Sequence, residues 1–341
     1  MTSEAWIVVG LDNGGTSNNA TVLDSAGRFL VDTLVETPSR VDEGPVIAVA
    51  ALVEAFDGVL RGVGFDRSAV RAVGFDTPGP ASADGVISSR GATNFSQEPW
   101  RGFDFRSALE SALQIPVVYN NDGNAGALYA HHVHFGLDAP RRSSLSAIVG
   151  TGLGGGIIEA GRVIKGAAGM AGEVGHVHIP MEGLLAPGQS IPSCNCGFVG
   201  DAESVASLTG IEKNLLPYWL NRFPDHELTK ASSIGSAAKL VRGLAVKGDP
   251  LALEIFNQQA MALGRLFTLA SNFFDPHAYF VGGGVVETSK DFREWFLATV
   301  RSNTTLREEQ ANLVTFSLIP DLDMAGARGA ALAAKDSVAI A

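Results

Sequence analysis

The chain has 341 residues, of which 46% are hydrophobic and 18% charged. That length and composition support a large core and favour two domains over one. The formal net charge of −11 argues against nucleic-acid or anionic-membrane partners, which need a basic surface. No apolar run approaches the ~20 residues of a membrane span. Glu4 shortly before the first strand is unlike a signal peptide, so we expect a cytoplasmic protein.

The first informative element is a predicted β-hairpin near the N-terminus. A strand over Trp6–Leu11 enters the loop Asp12-Asn13-Gly14-Gly15-Thr16, and a second strand over Asn19–Asp24 leaves it. A glycine loop that opens a helix suits a dinucleotide or a P-loop, but this one opens a strand. Asp12 is therefore either a carboxylate near a nucleotide-bound Mg²⁺ or the cap of an Asx-turn.

Four elements are predicted between this hairpin and the middle of the chain. They are a helix over Val46–Leu60, a strand over Ala69–Phe75 that ends at the turn cluster Asp76–Pro80, a helix over Phe105–Leu113, and a strand over Pro116–Tyr119.

Asp122 follows the last of these strands. Strand ends in α/β proteins are common ligand sites, and a carboxylate there can accept a proton from a hydroxyl that attacks phosphorus. The alternative is that Asp122 and Asn124 only cap the next helix, predicted over Ala125–His134 with Asn124 as its N-cap. Without a motif, capping is the favoured interpretation.

A second glycine loop, Gly150–Gly156, again lies between predicted strands, Leu145–Val149 and Ile157–Glu159. Its glycines match G-x-G-x-x-G, but a following strand opposes dinucleotide binding. Five glycines in seven positions exceed the needs of a turn and suggest an anion-binding nest. Two such hairpins, in separate halves, suggest two phosphate-binding loops facing each other across a cleft.

The remainder of the second half is mostly helical by its periodicity. The predicted elements are helices over Ile234–Val246, Pro250–Phe274, Phe292–Ser302 and Ala325–Ala334, and a strand over Tyr279–Val281 that stops at Gly282-Gly283-Gly284.

The two cysteines, Cys194 and Cys196, are separated by one residue. They exclude a disulfide framework and, with His176, suggest a metal site in a reducing compartment. Zinc prefers four ligands, and Asp201 can supply the fourth. The alternative is that both cysteines are small buried hydrophobic residues.

Taken together, these motifs resemble the ROK family (repressors, open reading frames, sugar kinases) in the family's order along nearly the whole chain. The matching segments are Leu11–Thr16 (D-x-G-G-T), Asn120–Ala125 (E-N-D-A-N-A), Gly150–Gly156, Gly172–His176 (E-x-G-H), Cys194–Glu203 (C-x-C-G-x-x-G-C-x-E) and Val281–Val285.

The resemblance implies an α/β protein with the two-domain actin-like (ribonuclease H-like) ATPase fold and a cleft between the domains. The expected small domain is 1–121 with the C-terminal helix 323–341, and the large domain is 122–322, which holds the zinc-type loop and nucleotide site. A homodimer is also implied.

The resemblance further implies ATP and Mg²⁺ as cofactors, a structural Zn²⁺, and roles for individual residues. Asp122 is the expected catalytic base. The expected sugar ligands are Asn94, Asn121, Glu173, His176 and Glu203; the nucleotide-binding residues are Asp12, Gly14, Gly15, Thr16, Gly150, Thr151, Gly152, Gly154, Gly282, Gly283 and Gly284; the zinc ligands are His176, Cys194, Cys196 and Asp201.

The sequence departs from the family pattern in three places. Asp201 replaces the third cysteine, and zinc accepts a carboxylate there. The stretch between His176 and Cys194 is longer, and its segment Met181–Ser193 is expected to fold beside the sugar. Asn13 and Ser17 occupy positions where the family often has a small or apolar residue and a lysine.

The expected function is transfer of the γ-phosphoryl group of ATP to a free hexose, at its 6-hydroxyl, with glucose as the default. An N-acetylhexosamine, another hexose or a polyol is an alternative acceptor, and polyphosphate an alternative donor. A sugar-sensing ROK regulator is a rival, although only eleven residues precede Asp12, too few for a helix-turn-helix. An NAD-dependent dehydrogenase rests on the glycine match alone.

Overall fold

The computed structural model describes residues 6–33, 35–79, 81–90 and 94–340. Glu4 and Pro80, used in the sequence predictions, lie outside these residues. The described strands form two five-stranded sheets. The mixed α/β class predicted from the sequence is confirmed.

The strands of the described residues are β1 (Ile7–Asn13), β2 (Ser17–Asp24), β3 (Val35–Pro38), β4 (Val70–Thr77), β5 (Val117–Asn121), β6 (Ser144–Val149), β7 (Leu153–Glu159), β8 (Arg162–Val163), β9 (Ala278–Gly283) and β10 (Thr315–Leu318). The α-helices are α1 (Pro45–Val63), α2 (Phe105–Leu113), α3 (Asp122–Phe135), α4 (Leu208–Gly210), α5 (Leu216–Arg222), α6 (Ile234–Val246), α7 (Pro250–Phe273), α8 (Lys290–Ser302), α9 (Glu308–Ala311) and α10 (Leu322–Ile340).

The chain falls into two compact units. Unit 1 comprises residues 1–141, 156–172 and 320–341, and unit 2 comprises residues 142–155 and 173–319. These units are defined by packing. The domain limits expected from the family, 1–121 with 323–341 and 122–322, stay a prediction.

The two sheets have the strand orders β3-β2-β1-β4-β5 and β10-β9-β6-β7-β8. The first sheet contains the predicted N-terminal hairpin, because β1 pairs antiparallel with β2. On its other side β1 is parallel to β4, and β4 is parallel to β5. The carboxyl ends of three neighbouring strands therefore lie at one edge of the sheet. Residues in register across neighbouring strands share a face, so this pairing fixes which side chains meet at that edge.

Helix α10 packs on one face of this sheet at backbone distance. A Cβ built on Gly10 would lie 1.9 Å from the Ala327 carbonyl oxygen, and one on Gly74 would lie 1.8 Å from that of Ala330. Gly10 and Gly74 are register partners, so the two central strands together provide a flat strip for the helix. Only glycine permits this approach.

The opposite face of the sheet carries the main apolar core of unit 1. Helix α1 buries Leu52, Phe56 and Val59 there, and an aromatic cluster extends the core beside α2. Within this cluster the ring centroids of Phe95 and Trp100 lie 4.7 Å apart. The Trp100 indole N–H donates to the Val41 carbonyl oxygen at 2.9 Å, which satisfies its one polar atom.

In unit 2, β9 is parallel to both β6 and β10. The buried Tyr279 of β9 stacks on Phe267 of α7 with ring centroids 4.4 Å apart. The carboxyl ends of β6 and β9 lie side by side, because Val149 and Gly283 are register partners. Both strands run directly into glycine-rich turns.

Two sequence predictions at the first sheet's edge are wrong. Asp76 lies inside β4 and is buried, instead of starting a turn. Helix α3 is capped by Asn121, whose side-chain oxygen accepts from the Asn124 N–H at 2.8 Å, so Asn124 lies inside the helix. Polar residues are ordinarily typical of turns and caps, and sequence alone does not reveal which of them the sheet buries.

The second glycine loop is shorter than predicted, since β7 already begins at Leu153. Gly155 and Gly156 are strand residues. A Cβ on Gly155 would lie 2.2 Å from the Ser146 carbonyl oxygen, and one on Gly156 would lie 2.7 Å from Ala127 Cβ. Close packing therefore explains part of the glycine excess that suggested an anion-binding nest.

Within the part of the chain that the structure describes, no helix is both long enough and apolar enough to cross a lipid bilayer.

The close approach of α10 yields a stability prediction. Gly10→Ala or Gly74→Ala inserts a methyl group into a backbone contact, and we expect each to lower the free energy of unfolding by roughly 3 kcal/mol. Equilibrium urea denaturation measures the change. The matched control is Gly58→Ala in α1, whose Cβ meets nothing closer than 3.9 Å; it should raise stability by about 0.5–1 kcal/mol. A neutral Gly74→Ala would show that α10 does not dock this closely.

Candidate active site

A row of four polar side chains crosses the edge of the first sheet. In spatial order it comprises Asn19 of β2, Asp12 of β1, Asp76 of β4 and Asn120 of β5, each in register with the next. Asn19 Nδ2 donates to Asp12 Oδ2 at 3.2 Å. We call these four residues the polar row. It lies on the same face as Gly10 and Gly74, and therefore under α10.

Asp76 is the most unusual member of the polar row. Its side chain is fully buried, and neither carboxylate oxygen has a hydrogen-bond donor among the described residues. Burial raises its pKa well above the ordinary value, and the neighbouring carboxylates of Asp12 and Asp122 act in the same direction. Burial also raises the pKa of Asp12, although the neighbouring Asp76 and Asn19 side chains oppose that shift.

Sequence reasoning missed Asp76 as a functional residue. The available signal was its position: Asp76 is the second-last residue of β4, as Asp12 is of β1. The turn-like residues that follow Asp76 hid that signal.

Asp122 is the first residue of α3 and is exposed. Its Oδ1 accepts from the Gly123 N–H at 2.7 Å. A carboxylate in the first turn of a helix is stabilised by the helix dipole. Asn121 precedes it and caps the helix, so both the predicted base and a predicted sugar ligand lie where β5 turns into α3. Asn121 also lines a small recess of unit 1 with Lys165 and Tyr119.

The first glycine loop is a tight turn in unit 1. The Gly14 N–H donates to the Ser17 carbonyl oxygen at 2.8 Å, and Gly15 and Thr16 are exposed at the tip. A Cβ on Gly15 would lie 2.9 Å from Asn94 Cγ. The structure thus brings the predicted sugar ligand Asn94 next to this loop.

Two predicted nucleotide segments are neighbours in unit 2. Gly150–Gly152 follows β6, with a hydrogen bond of 2.9 Å from Gly150 N–H to the Gly152 carbonyl oxygen. Gly283 has φ +88° and its Cβ would lie 2.0 Å from the Val149 carbonyl oxygen, so only glycine fits there. Gly284 N–H also donates to Val149. Glycine turns at the ends of adjacent parallel strands are typical of ligand-binding edges.

Glu203 connects this edge of unit 2 to the cysteine loop. Its Oε2 accepts from the Leu153 N–H at 2.8 Å, and Cys194 Sγ lies 3.2 Å from its Oε1. A Cβ on Gly152 would lie 2.6 Å from Oε2. Glu203 therefore fixes the second glycine loop, a contact that the sequence did not predict. Thr151 and Gly154 are exposed beside it.

The four predicted metal ligands converge in unit 2. Ligand atoms of His176, Cys194, Cys196 and Asp201 all lie within 4.8 Å of one another. Backbone pairing joins the two segments that carry His176 and Asp201: Asp201 lies opposite His178, the Glu203 N–H donates to the Gly175 carbonyl oxygen and the Ala202 N–H donates to that of Val177. The cysteines lie on a tight turn closed by the Cys194 N–H on the Phe198 carbonyl oxygen at 2.8 Å.

Three separations within this group are close to those of tetrahedral zinc. Asp201 Oδ2 lies 3.2 Å from His176 Nδ1 and 3.7 Å from Cys196 Sγ, and Cys194 Sγ lies 3.8 Å from His176 Nδ1. Zinc bonds of about 2.0–2.3 Å place tetrahedral ligands roughly 3.3–3.8 Å apart. Ser204 N–H holds the other Asp201 oxygen at 2.9 Å. Burial raises the pKa of the Cys194 thiol, with Glu203 and Asp201 adding to the shift; zinc would oppose it by binding the thiolate.

The remaining predicted sugar ligand and the long segment also lie in unit 2. Glu173 directly precedes the short 3₁₀ turn Val174–His176. The segment Met181–Ser193 packs against helices: the Pro187 carbonyl oxygen accepts from Tyr218 and Arg222 of α5. These contacts fix the segment against α5. Its expected location beside the sugar stays a prediction.

The sequence as a whole matches known proteins. Over 286 residues it is 32% identical to a glucokinase of Halalkalibacterium halodurans, covering 83% of this chain and 81% of that protein. It is likewise 32% identical over 286 residues to an N-acetyl-D-glucosamine kinase of Pectobacterium atrosepticum, covering 81% and 83%.

Solved structures give the same result for the fold. The ROK hexokinase of Thermus thermophilus superposes with a TM-score of 0.75 at 31% identity, covering 98% of this chain and all of that one (100%). A ROK family glucokinase from Streptomyces griseus in complex with glucose and AMPPNP gives a TM-score of 0.66 at 29% identity, covering 97% and 99%.

The family model described as "ROK family" matches residues 8–337. This match covers nearly all of the chain, and the two solved ROK structures superpose on 98% and 97% of it. The chain therefore belongs to the ROK family and has the actin-like ATPase fold.

Proposed function

We propose that this sugar kinase of the ROK family transfers the γ-phosphoryl group of ATP to the 6-hydroxyl of a free hexose, with glucose as the first candidate. The observation that carries the proposal is the cluster of acidic side chains where β1, β4 and β5 end. Phosphoryl transfer needs a base for the attacking hydroxyl and a site for a phosphate-bound cation. Asp122 and Asp12 are suited to these two tasks.

Asp122 is proposed as the general base. It is exposed at the first turn of α3, where a substrate hydroxyl can reach it. As the hydroxyl oxygen attacks the γ-phosphorus, its proton passes to the Asp122 carboxylate. The bond between the γ-phosphorus and the bridging oxygen breaks, and ADP leaves with that electron pair.

The nucleotide is proposed to bind through backbone groups. Gly14, Gly15 and Thr16 in unit 1 and the turns Gly150–Gly152 and Gly282–Gly284 in unit 2 are the glycine-rich turns that would supply these groups. Backbone N–H groups in such turns bind phosphate oxygens. Asp12 would hold Mg²⁺, which when bound neutralises charge on the phosphate oxygens.

The sugar is proposed to bind through Asn94, Asn121, Glu173, His176 and Glu203. Each is a hydrogen-bonding side chain, and a wrong sugar leaves some of them unpaired, which is how such sites discriminate. Glucokinases and an N-acetyl-D-glucosamine kinase are similarly related to this chain. Glucose is therefore the first acceptor to test and N-acetylglucosamine the second, with other hexoses and polyols after them.

Zinc is proposed as a structural ion on His176, Cys194, Cys196 and Asp201. It would hold the loop that carries Glu203, so metal content and sugar affinity should change together. A homodimer is the arrangement that the family resemblance favours, and the cytoplasm is the proposed location.

The proposal is tested by ADP release from Mg-ATP with a panel of hexoses, N-acetylhexosamines and polyols. Turnover with one sugar, and transfer to its 6-hydroxyl by NMR, is the expected result. A parallel reaction with polyphosphate tests the alternative donor. Sugar binding by calorimetry without turnover on any acceptor would instead support a sugar-sensing regulator.

Asp122→Asn should lower kcat by about 100- to 10,000-fold, because the amide cannot accept the hydroxyl proton. Sugar affinity, measured by calorimetry, should stay within a few-fold of the original. Asp138→Asn, an exposed aspartate paired with Arg141, is the control and should keep normal turnover. Near-normal kcat in Asp122→Asn would remove Asp122 from the mechanism.

Replacement of Asp201 tests whether its carboxylate is a zinc ligand. We expect about one zinc ion per chain in the unaltered protein, a loss in Asp201→Ala, and retention in Asp201→Cys, which supplies a thiolate at the same place. Elemental analysis gives the zinc content, and the KM for sugar should rise with zinc loss. Equal zinc content in Asp201→Ala would exclude this carboxylate as a ligand.

A further inference from the structure

We propose that Asp76 is a second carboxylate ligand, with Asp12, for the divalent cation that accompanies the nucleotide. This inference rests on the proposed kinase function, because the nucleotide brings that cation. It assigns a role to a residue outside every motif that identified the family. Asp76 belongs to the polar row, and its direct neighbours there are Asp12 and Asn120.

Neither Asp12 nor Asp76 forms an ion pair with any Lys, Arg or His of the described residues. Both oxygens of Asp76 are buried without a hydrogen-bond donor. A buried carboxylate is costly unless it is paired, protonated or bound to a metal. Two such groups in contact call for a positive charge at this position.

The oxygen atoms of the polar row suit a hard divalent cation. Hard divalent cations such as Mg²⁺ prefer oxygen ligands, and Mg²⁺ in phosphate-transfer enzymes is commonly held by one or two carboxylates together with substrate phosphates. Asn120 adds a third oxygen to the same row: its Oδ1 is also buried without a donor, and the residue is 3% exposed. The unsatisfied atoms of the row are therefore all oxygens.

The polar row has partly exposed members at one end and is held rigidly by the sheet and by α10. Asp12 and Asn19 keep partly exposed surface at the solvent side of the row, whereas Asp76 lies behind them. Gly326 of α10 is necessary for this arrangement, because a Cβ there would lie 2.8 Å from Asp12 Cγ. Strand register and the packed helix fix both carboxylates before any ion arrives, which is the preorganisation that a tight Mg²⁺ site needs.

The test is calorimetric Mn²⁺ binding to the full-length, zinc-loaded and dialysed protein, with and without AMPPNP. Asp76→Asn preserves the shape of the side chain and removes its charge, so we expect Mn²⁺ affinity to fall by about tenfold or more. Thermal unfolding provides a second readout: Mn²⁺ should raise the melting temperature of the unaltered protein and raise that of Asp76→Asn much less. Without metal the variant should be at least as stable, because an unpaired buried charge is gone.

Asp24→Asn is the matched control. Asp24 lies at the far end of β2 in the same sheet, with its side chain 13% exposed and paired with Arg28 at 2.8 Å; its removal should leave Mn²⁺ affinity unchanged. Equal Mn²⁺ affinity in Asp76→Asn and the unaltered protein, or no Mn²⁺ binding by the unaltered protein in either condition, overturns the inference. Asp76 would then serve only as a protonated partner that orients Asp12.

Kinase assays separate this inference from the proposed function. With saturating ATP and sugar, Asp76→Asn should need a higher Mg²⁺ concentration for half-maximal rate, and its sugar affinity should be unchanged. Mn²⁺ binding that depends on Asp76 in a protein without turnover would support the metal site and contradict the kinase. Normal turnover at the usual Mg²⁺ concentration in Asp76→Asn would support the kinase and contradict the metal site.

Discussion

The backbone contact between helix α10 and the first sheet is the constraint on which the acidic edge of unit 1 depends. Gly10 and Gly74 let the helix lie directly on β1 and β4, and Gly326 leaves room for Asp12 beneath its second turn. The same register that aligns the two glycines aligns Asp12 with Asp76 two residues later. One packing requirement therefore determines where the carboxylates lie and how little they can move.

This arrangement opposes stability and favours binding. Two facing carboxylates and an amide oxygen without a donor are costly to bury at the edge of a sheet, and they lower the stability of the fold. Proteins concentrate such local conflicts at functional sites, where a ligand resolves them. Unit 2 shows a related arrangement, since four metal-ligating side chains converge on one point and Glu203 joins that loop to the second glycine turn. In both units, bound ions would stabilise what the chain alone leaves unsatisfied.

Many elements of the fold and the four metal-ligating residues could be predicted from the sequence, because the patterns that indicate them lie within short segments. Helices α1, α2, α6, α7 and α8 follow their apolar periodicity, and both strand–glycine–strand units are present. The convergence of His176, Cys194, Cys196 and Asp201 was also predicted, since zinc-type ligand spacing carries geometric information.

What could not be predicted depends on partners that are distant in the chain. The burial of Asp76 follows from pairing with β1 and from the docking of α10, more than 240 residues later. Asn121 and Asn124 are equally good capping residues by type, and only the end of β5 decides between them. The glycines of β7 look like a loop until the neighbouring backbone is known to touch them.

The most direct test of the account is anomalous diffraction from crystals grown with Mn²⁺ and AMPPNP. We predict a manganese peak within bonding distance of both the Asp12 and Asp76 carboxylates, at the edge where β1 and β4 end. A manganese ion bound to the nucleotide but remote from Asp76, with Asp76 still buried and unligated, would contradict it.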